Sequence, residues 1–346
     1  MSYHRLNIII ESAMTDKVPD ISIVVPVYNE QDNLRPLTHR LRRVLESLDL
    51  FVEVIFIDDG SQDASLDHIR SLCREHSDFR ALVFSRNFGK EVAIAAGLDT
   101  ARGRAVVIMD SDLQHPPELI EKFIEKWRLG YKNVYGQRTD RSTDPKLRVF
   151  LTSLFYRLVE KFGDVSLPSG AGDYRLLDRQ AVDALLTMRE RARFNKGLYA
   201  WIGFKSIGID YDVADRATGQ SKFSFARLFR FALDGLMSFS SLPLKIWTYI
   251  GLGVSGFALS MAGYYYIRTM IYGVDAPGFP SLIVSIAFFS GIQLISLGVI
   301  GEYIARIFNE VKGRPLYLVC ETIDFSAHSS KQTKKSAQQD QVTNPH

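Results

Sequence analysis

The stretch VVIMDSDLQHPPE (residues 106–118) places two aspartates, Asp110 and Asp112, directly after an apolar run. The run predicts a buried β-strand that ends just before the two acids. Side chains at positions i and i+2 of an extended segment point to the same side. We therefore expect the two carboxylates to face one direction, where a bound divalent cation would relieve their repulsion.

The same kind of apolar run occurs three more times ahead of this stretch, at residues 21–27, 53–58 and 80–85. Near-continuous apolar runs are typical of strands covered on both faces. Helical patterns separate the runs, at residues 33–48, 65–74 and 90–101. This alternation predicts an α/β fold built on a parallel sheet, in which ligands bind beyond the carboxyl ends of the strands.

Three of the four predicted strands end in polar segments with evident chemistry, PVYNE, DDGS and DSD. Their convergence at one edge of the sheet favours a ligand site over isolated turns, although Asp, Gly and Ser are also ordinary turn formers. Mg²⁺ or Mn²⁺ is usually held by one or two carboxylates together with phosphate oxygens. Asp110 and Asp112, with Gln114 as a neutral oxygen ligand, are therefore the predicted metal site. His115, beside two prolines, is expected to shape the turn.

Two later segments, residues 246–267 and 281–300, contain no Asp, Glu, Lys or Arg. Each matches the about 20 apolar residues that cross a bilayer as a helix. Lys and Arg are concentrated before the first segment and after the second, so the positive-inside rule predicts a hairpin with both ends in the cytoplasm. We expect an integral protein of the inner (plasma) membrane, in contact with its lipids, whose catalytic domain and C-terminus are cytoplasmic.

The chain of 346 residues thus divides into five predicted parts. They are an N-terminal extension (1–19), the α/β domain (20–221), an amphipathic juxtamembrane region (222–245), the membrane hairpin with the segment after it (246–321), and a polar, disordered tail (322–346). Residues 222–245 have the spacing of a helix lying in the membrane surface, but a helix packed on the soluble domain fits them equally well.

Composition excludes several classes of function. The formal net charge is only +3 and there is no basic block outside the tail, so no nucleic-acid partner is expected. Cys73 and Cys320 are the two cysteines, which argues against a disulfide framework. GLGVSG (residues 251–256) matches a dinucleotide-binding pattern, but it follows no strand and lies inside an apolar segment.

Seven motifs in chain order resemble a membrane-anchored glycosyltransferase with the GT-A fold, of the inverting family 2 type. The resemblance is to its polyisoprenyl-phosphate glycosyltransferases, of the bactoprenol glucosyltransferase and dolichol-phosphate mannose synthase type. The motifs, between residues 24 and 224, are VVPVYNE, FIDDGSQD, SRNFGKEVAIAAGL, MDSDLQHPPE, GQRTDR, GAGDYRLLDR and DRATGQSKFS. The expected architecture is a GT-A nucleotide-sugar-binding (Rossmann-like) domain followed by an amphipathic interfacial helix and a two-helix transmembrane hairpin.

The resemblance implies a role for particular residues of this chain. Asp173 is the implied catalytic carboxylate, as a base or as an orienting group. The implied metal ligands for Mg²⁺ or Mn²⁺ are Asp110, Asp112 and Gln114. The implied nucleotide-sugar-binding residues are Pro26, Tyr28, Glu30, Asp58, Asp59, Lys90 and Asp110. The implied lipid-phosphate-binding residues are Arg138, Arg148, Thr152, Ser153, Arg216 and Lys222. Lys90 is equally well read as a solvated helix residue, and any one of these arginines as a surface ion pair.

The reaction that the resemblance implies is inverting, metal-dependent transfer of a hexose to a polyprenyl phosphate on the cytoplasmic membrane face. UDP-glucose and undecaprenyl phosphate are the favoured substrates, while GDP-mannose, UDP-N-acetylglucosamine and a UDP-modified arabinose stay open as donors. A processive polysaccharide synthase usually carries a Gln-x-x-Arg-Trp motif, which this sequence lacks. A non-catalytic membrane scaffold and a two-span transporter subunit are further alternatives. Some relatives form tetramers, so a homo-oligomer is also open.

Overall fold

A single mixed sheet organises the N-terminal domain. The computed structural model describes residues 18–138, 171–191, 193–211, 242–273 and 278–324. The strands in these ranges are β1 Ile21–Val27, β2 Val52–Asp58, β3 Phe79–Phe84, β4 Ala105–Ile108, β5 Asn133–Arg138, β6 Ala171–Asp178, β7 Ser206–Tyr211 and β8 Val319–Asp324. The helices are α1 Gln31–Ser47, α2 Ser65–Glu75, α3 Lys90–Thr100, α4 Leu119–Arg128, α5 Arg179–Thr187, α6 Asn195–Trp201, α7 Leu242–Tyr272 and α8 Phe279–Val311.

The strands lie in the order β7-β5-β6-β4-β1-β2-β3-β8. Strand β1 pairs in parallel with β2 and β4, and β2 pairs in parallel with β3. The predicted parallel arrangement is therefore confirmed for the first four strands. Strands β6 and β8 run antiparallel to β4 and β3, so the sheet as a whole is mixed. These antiparallel strands come from segments in which the sequence analysis predicted no strand.

Helices cover both faces of the sheet, which explains the near-continuous apolar runs. Successive side chains of a strand point to opposite faces. Ile23 and Val25 of β1 accordingly join a core with residues of α1, α2 and α4, whereas Val24 joins a second core with residues of α3, α5 and α6. The carboxyl ends of β1, β2 and β4 thus meet at one edge between two packed layers.

Helix α3 lies unusually close to the sheet because Gly97 faces Val24. A Cβ atom built on Gly97 would lie 2.1 Å from Cγ1 of Val24. Glycine is the residue that allows such an approach of helix and strand. The contact fixes α3 against β1, and the first residue of that helix is Lys90.

Strand β8 follows both long helices in the chain and forms one edge of the sheet. Residues 322–324, which the sequence analysis assigned to a disordered tail, form the end of this strand and pair with β3. The pairing satisfies the backbone groups of β3, which would otherwise form an open sheet edge. The boundary predicted at residue 322 is therefore wrong.

Helices α7 and α8 contain the two predicted membrane spans. Tyr249–Tyr272 and Phe288–Val311 are long and apolar enough to cross a membrane, by length and composition, and 0% of either apolar window is buried in the protein. Helix α8 continues past the predicted end at residue 300 and carries charges on its last turns, Glu302, Arg306 and Glu310. Of the predicted juxtamembrane region, residues 222–241 lie outside the described residues and 242–245 begin α7.

The contact of α3 with β1 yields a first prediction. Gly97→Ala should lower the free energy of unfolding by about 1–3 kcal/mol, the usual loss for an overpacked core. The clash should outweigh the helix propensity that alanine gains over glycine, about 1 kcal/mol. Thermal and denaturant unfolding of the purified protein in detergent would measure the change.

Val24→Ala serves as the matched control. It should destabilise the Gly97→Ala protein less than it destabilises the wild type, because it removes the methyl groups that the new Cβ meets. Equal losses in the two backgrounds would contradict the proposed clash.

Candidate active site

The loops after β1 and β2 are joined at the carboxyl edge of the sheet. The backbone N–H of Asn29 donates to Oγ of Ser61 at 3.0 Å, and Oδ1 of Asn29 accepts from the backbone N–H of Gln62 at 2.8 Å. Asn29 has φ 55, in the left-handed region that asparagine tolerates better than most residues. Tyr28 is 42% exposed beside this junction, whereas Pro26 is buried within β1. Tyr28 is thus available to a ligand.

Asp58 and Asp59 lie side by side but differ in their contacts. Asp59 accepts from the backbone N–H of Phe88 at 2.6 Å and of Gly89 at 2.9 Å, so it holds the loop that leads into α3. Asp58 is 1% exposed and accepts from Ser61 N–H, but its Oδ1 has no partner among the described residues. Burial raises the pKa of both carboxyls. The unpaired Oδ1 is a buried acceptor that a ligand hydroxyl could satisfy.

The loop after β4 is held by His115, as the sequence predicted. Nδ1 of His115 accepts from the backbone N–H of Asp110 at 3.1 Å, and its ring stacks on Tyr174 at 4.6 Å. The hydroxyl of Tyr174 donates to the carbonyl of Pro116 at 2.7 Å. Burial lowers the pKa of His115, which favours the neutral ring that this contact requires. Leu113, in the same loop, has φ 62, a conformation rare for a bulky residue and often found at functional sites.

Lys90 joins the two halves of the site. Its Nζ lies 2.6 Å from Oδ1 of Asp110 and 3.2 Å from Oδ2 of Asp173. Asp110 follows β4 and Asp173 lies in the neighbouring β6, so one ammonium group bridges the ends of two antiparallel strands. The Lys90 side chain is 43% exposed. It therefore remains accessible to an incoming anion.

This bridge keeps all three of its groups charged. Desolvation by neighbouring protein atoms would lower the pKa of the partly exposed Lys90, but the carboxylates of Asp110 and Asp173 outweigh this effect and raise the pKa. Burial would raise the pKa of Asp173, yet the positive charges of Lys90, Lys196 and Arg175 hold it well below its usual range. The pKa of Asp110 is likewise lowered: the charges of Lys90 and His115 outweigh burial. A carboxylate with so low a pKa is a weak base, which suits Asp173 to orientation better than to proton removal.

Glu30, Asp110 and Asp112 are acidic groups that lie close enough to influence one another's charge. Burial and the nearby charges of Asp112 and Asp110 raise the pKa of Glu30. Oε2 of Glu30 accepts from Asn33 at 2.6 Å, and Oδ1 of Asp112 accepts from the backbone N–H of Gln114 at 3.1 Å. Such mutual repulsion marks a place where a cation is favoured.

The donor set fits a divalent ion that arrives with a phosphate ligand. Within the described ranges no group of three or more His, Cys, Asp or Glu side chains could hold a metal by itself. Mg²⁺ takes one or two carboxylates when phosphate oxygens and waters complete its shell. Asp110 and Asp112 are the residues that would supply them, and coordination by the side chain of Gln114 stays a prediction.

Sequence reasoning missed a second layer of the site. The Arg175 guanidinium lies over the Tyr199 ring at 3.7 Å, and both side chains are buried. Glu91, next to Lys90, accepts from the backbone N–H of Asn195 at 2.9 Å. Burial and the charge of Asp173 raise the pKa of Glu91 to about 7. Arg175 could have been found from its i+2 spacing to Asp173, but nothing local in the sequence points to Tyr199 or Asn195.

The predicted lipid-phosphate group cannot be placed as a set. Arg138 is the last residue of β5. Arg148, Thr152, Ser153, Arg216 and Lys222 lie outside the described residues. Their convergence on an acceptor phosphate stays a prediction.

Comparison with known proteins identifies the family of this chain. The family model described as Glycosyl transferase family 2 matches residues 22–186, which run from β1 into α5 and include Asp58, Asp110 and Asp173. A glycosyltransferase of Synechocystis sp., described as uncharacterized, is 45% identical over 302 residues, covering 87% of this chain and 95% of its own.

Two further relatives have more specific names. The SfII prophage-derived bactoprenol glucosyl transferase of Shigella flexneri is 42% identical over 299 residues, which are 86% of this chain and 97% of that protein. A prophage bactoprenol glucosyl transferase homolog of Escherichia coli K12 is 43% identical over 300 residues, which are 86% of this chain and 98% of that protein. The chain therefore belongs to glycosyl transferase family 2 as a glycosyltransferase of the GT-A fold, which confirms the resemblance that its motifs indicated.

Proposed function

We propose that this protein transfers one glucose from UDP-glucose to a polyprenyl phosphate, undecaprenyl phosphate, with inversion and on the cytoplasmic membrane face. The observation that carries the proposal is the Lys90 bridge, which joins the donor-side carboxylate of Asp110 to Asp173 in one site. The names of the two bactoprenol relatives support this sugar and this class of acceptor.

The ionisation of Asp173 suits a phosphate acceptor. A phosphate monoester has its second pKa near ~6, so at neutral pH it is already largely an oxyanion. Such a nucleophile needs positioning and positive charge more than it needs a strong base. Asp173, held ionised by Lys90, is a poor proton acceptor but a good orienting group. Glu91, with a pKa of about 7, is the better candidate to take up a remaining proton.

The reaction is a single displacement at the anomeric carbon. An acceptor phosphate oxygen forms the new bond to that carbon, and the bond to the nucleoside diphosphate breaks, so that UDP leaves with the electron pair. Attack opposite the leaving group inverts the configuration. Tyr28 and the free Oδ1 of Asp58 would bind the base and ribose, and the accessible ammonium of Lys90 would bind the diphosphate.

A divalent cation would support the leaving group. Mg²⁺ or Mn²⁺ held by Asp110 and Asp112, with Gln114 beside them, would neutralise the diphosphate and make it leave more easily. Burial and, after it, the charges of Asp112 and Asp110 raise the pKa of Glu30, and a cation bound there would offset those charges, which supports this assignment.

The unburied faces of α7 and α8 support a membrane anchor. Apolar helix surface of this length is stable in lipid and unfavourable in water. With basic residues flanking both helices, the two ends of the hairpin would lie in the cytoplasm, where nucleotide sugars are available to the domain.

A panel of radiolabelled UDP- and GDP-sugars tests the proposal. Purified protein, undecaprenyl phosphate and Mg²⁺ or Mn²⁺ should place label from UDP-glucose in the organic extract. Chelation of the metal should abolish the signal, and Asp112→Asn should reduce it at least tenfold, because the variant loses a predicted metal ligand.

The other outcomes of this panel discriminate between the alternatives. Label from another donor would correct the sugar alone. Label in a polymer would favour a polysaccharide synthase, and the lack of binding by every donor would favour a scaffold.

Asp173→Asn separates orientation from donor binding. It should lower kcat about 100-fold, the effect of misplacing a reacting group, while donor affinity stays within about twofold. Calorimetric titration with UDP-glucose and initial rates of lipid labelling would measure the two quantities. Asp183→Asn, the same change at an exposed position of α5, should leave both unchanged. Loss of donor binding in Asp173→Asn would contradict the assignment.

A further inference from the structure

Residues 188–191 and 193–195, here called the connecting arm, lie between α5 and the first turn of α6, and Arg191 contacts the end of α8. Arg191 makes four hydrogen bonds there. Its backbone N–H donates to Oε2 of Glu310 at 3.0 Å, and Nη1 donates to the carbonyl of Glu310 at 2.7 Å. Nη2 and Nε donate to the carbonyl of Arg314 at 2.6 and 3.1 Å. The arm is thus attached to the point where the chain leaves the second long helix.

One of these contacts suits a helix C-terminus: Nη1 reaches the carbonyl of Glu310 in the last turn of α8, whereas Nη2 and Nε reach the carbonyl of Arg314, three residues after the helix ends. The last carbonyls of a helix have no intrahelical partner, and a positive charge is favoured beside them. The planar fork of arginine can donate to two carbonyls at once, which lysine cannot do in a fixed geometry. Arg191 therefore fixes the orientation of the arm on α8 as well as its proximity.

The other end of the arm reaches the active site. Asn195 is 0% exposed, and its Nδ2 donates to the carbonyl of Glu91 at 3.2 Å while its backbone N–H donates to the Glu91 carboxylate. Arg193 donates through Nε to Oδ1 of Asn195 at 2.8 Å and through Nη1 to the carbonyl of Met188. Glu91 is the residue after Lys90, so the arm ends against the first turn of α3.

We infer that Arg191 and Asn195 are positioning residues, which transmit the placement of the α8 terminus through the arm to Glu91 and the Lys90 bridge. The inference rests on the proposed function, in which the acceptor phosphate is held at the membrane surface. There the reacting groups must be placed to within about 1 Å of their productive positions, since an error of that size lowers a rate about 100-fold. The arm joins the end of a long apolar helix to Glu91, the residue after Lys90.

Substitution of Arg191 tests the first half of this inference. Arg191→Ala should lower kcat for lipid labelling at least tenfold and leave the affinity for UDP-glucose within about twofold. The reason is that Glu91 and Lys90 would shift while every residue proposed to bind the donor remains present. Arg191→Lys should recover only part of the rate, since it lacks the fork. Arg42→Ala, on α1, the helix that covers the other face of the sheet from α3, removes a 2.8 Å ion pair with Asp78; it is the matched control and should keep the wild-type rate.

A double-mutant cycle tests transmission to the site. If Arg191 acts through Asn195 and Glu91, then Arg191→Ala should change kcat less than twofold in a Glu91→Gln background. Independent, multiplying losses would overturn the inference.

Hydrogen exchange gives a readout that needs no acceptor and no turnover. In Arg191→Ala, the amides of residues 92 and 93 at the start of α3 should exchange faster, because the arm no longer holds Glu91, while Arg42→Ala leaves them unchanged. Unchanged exchange in Arg191→Ala would overturn the inference even if lipid labelling occurs. If Arg191→Ala alters the exchange but the wild type does not label the lipid, the inference about the arm stands and the proposed function is refuted.

Discussion

The ion bridge from Lys90 to Asp110 and Asp173 is the interaction on which the site depends. Two carboxylates brought to the ends of neighbouring strands repel each other, and burial makes their charges still less favourable. One ammonium group within 2.6 Å of the first and 3.2 Å of the second keeps both ionised. It thereby joins the loop that we propose binds the donor to the strand that we propose orients the acceptor, and it leaves Asp173 as an anion with little basicity.

Several contacts around α3 hold Lys90 in place. Gly97 lets α3 approach β1, Asp59 fixes the loop before the helix, and Asn195 holds Glu91 at its first turn. The same domain is attached to the long apolar helices through Arg191 at the end of α8 and through β8 at the sheet edge. The pair of long apolar helices is therefore joined to the sheet domain by specific contacts at two places.

The sequence predicted those parts of the site that have a local pattern. Apolar runs followed by acids located Asp58 and Asp110, and the prolines beside His115 indicated its part in the turn. The resemblance singled out Lys90, Asp110 and Asp173 one by one, but the bridge between them could not be predicted, because it depends on tertiary contacts between residues 90, 110 and 173. Strand β8 was missed for a similar reason: its pairing with β3 spans most of the chain and leaves no local signal.

A double-mutant cycle on kcat/KM for lipid labelling, with Lys90→Met and Asp173→Asn, tests the central claim most directly. If the bridge makes the two residues act as one unit, each single variant should lose activity strongly, and the double variant should be no more than about twofold worse than Lys90→Met alone. If the two losses simply multiply in the double variant, Lys90 and Asp173 act independently and the account is contradicted.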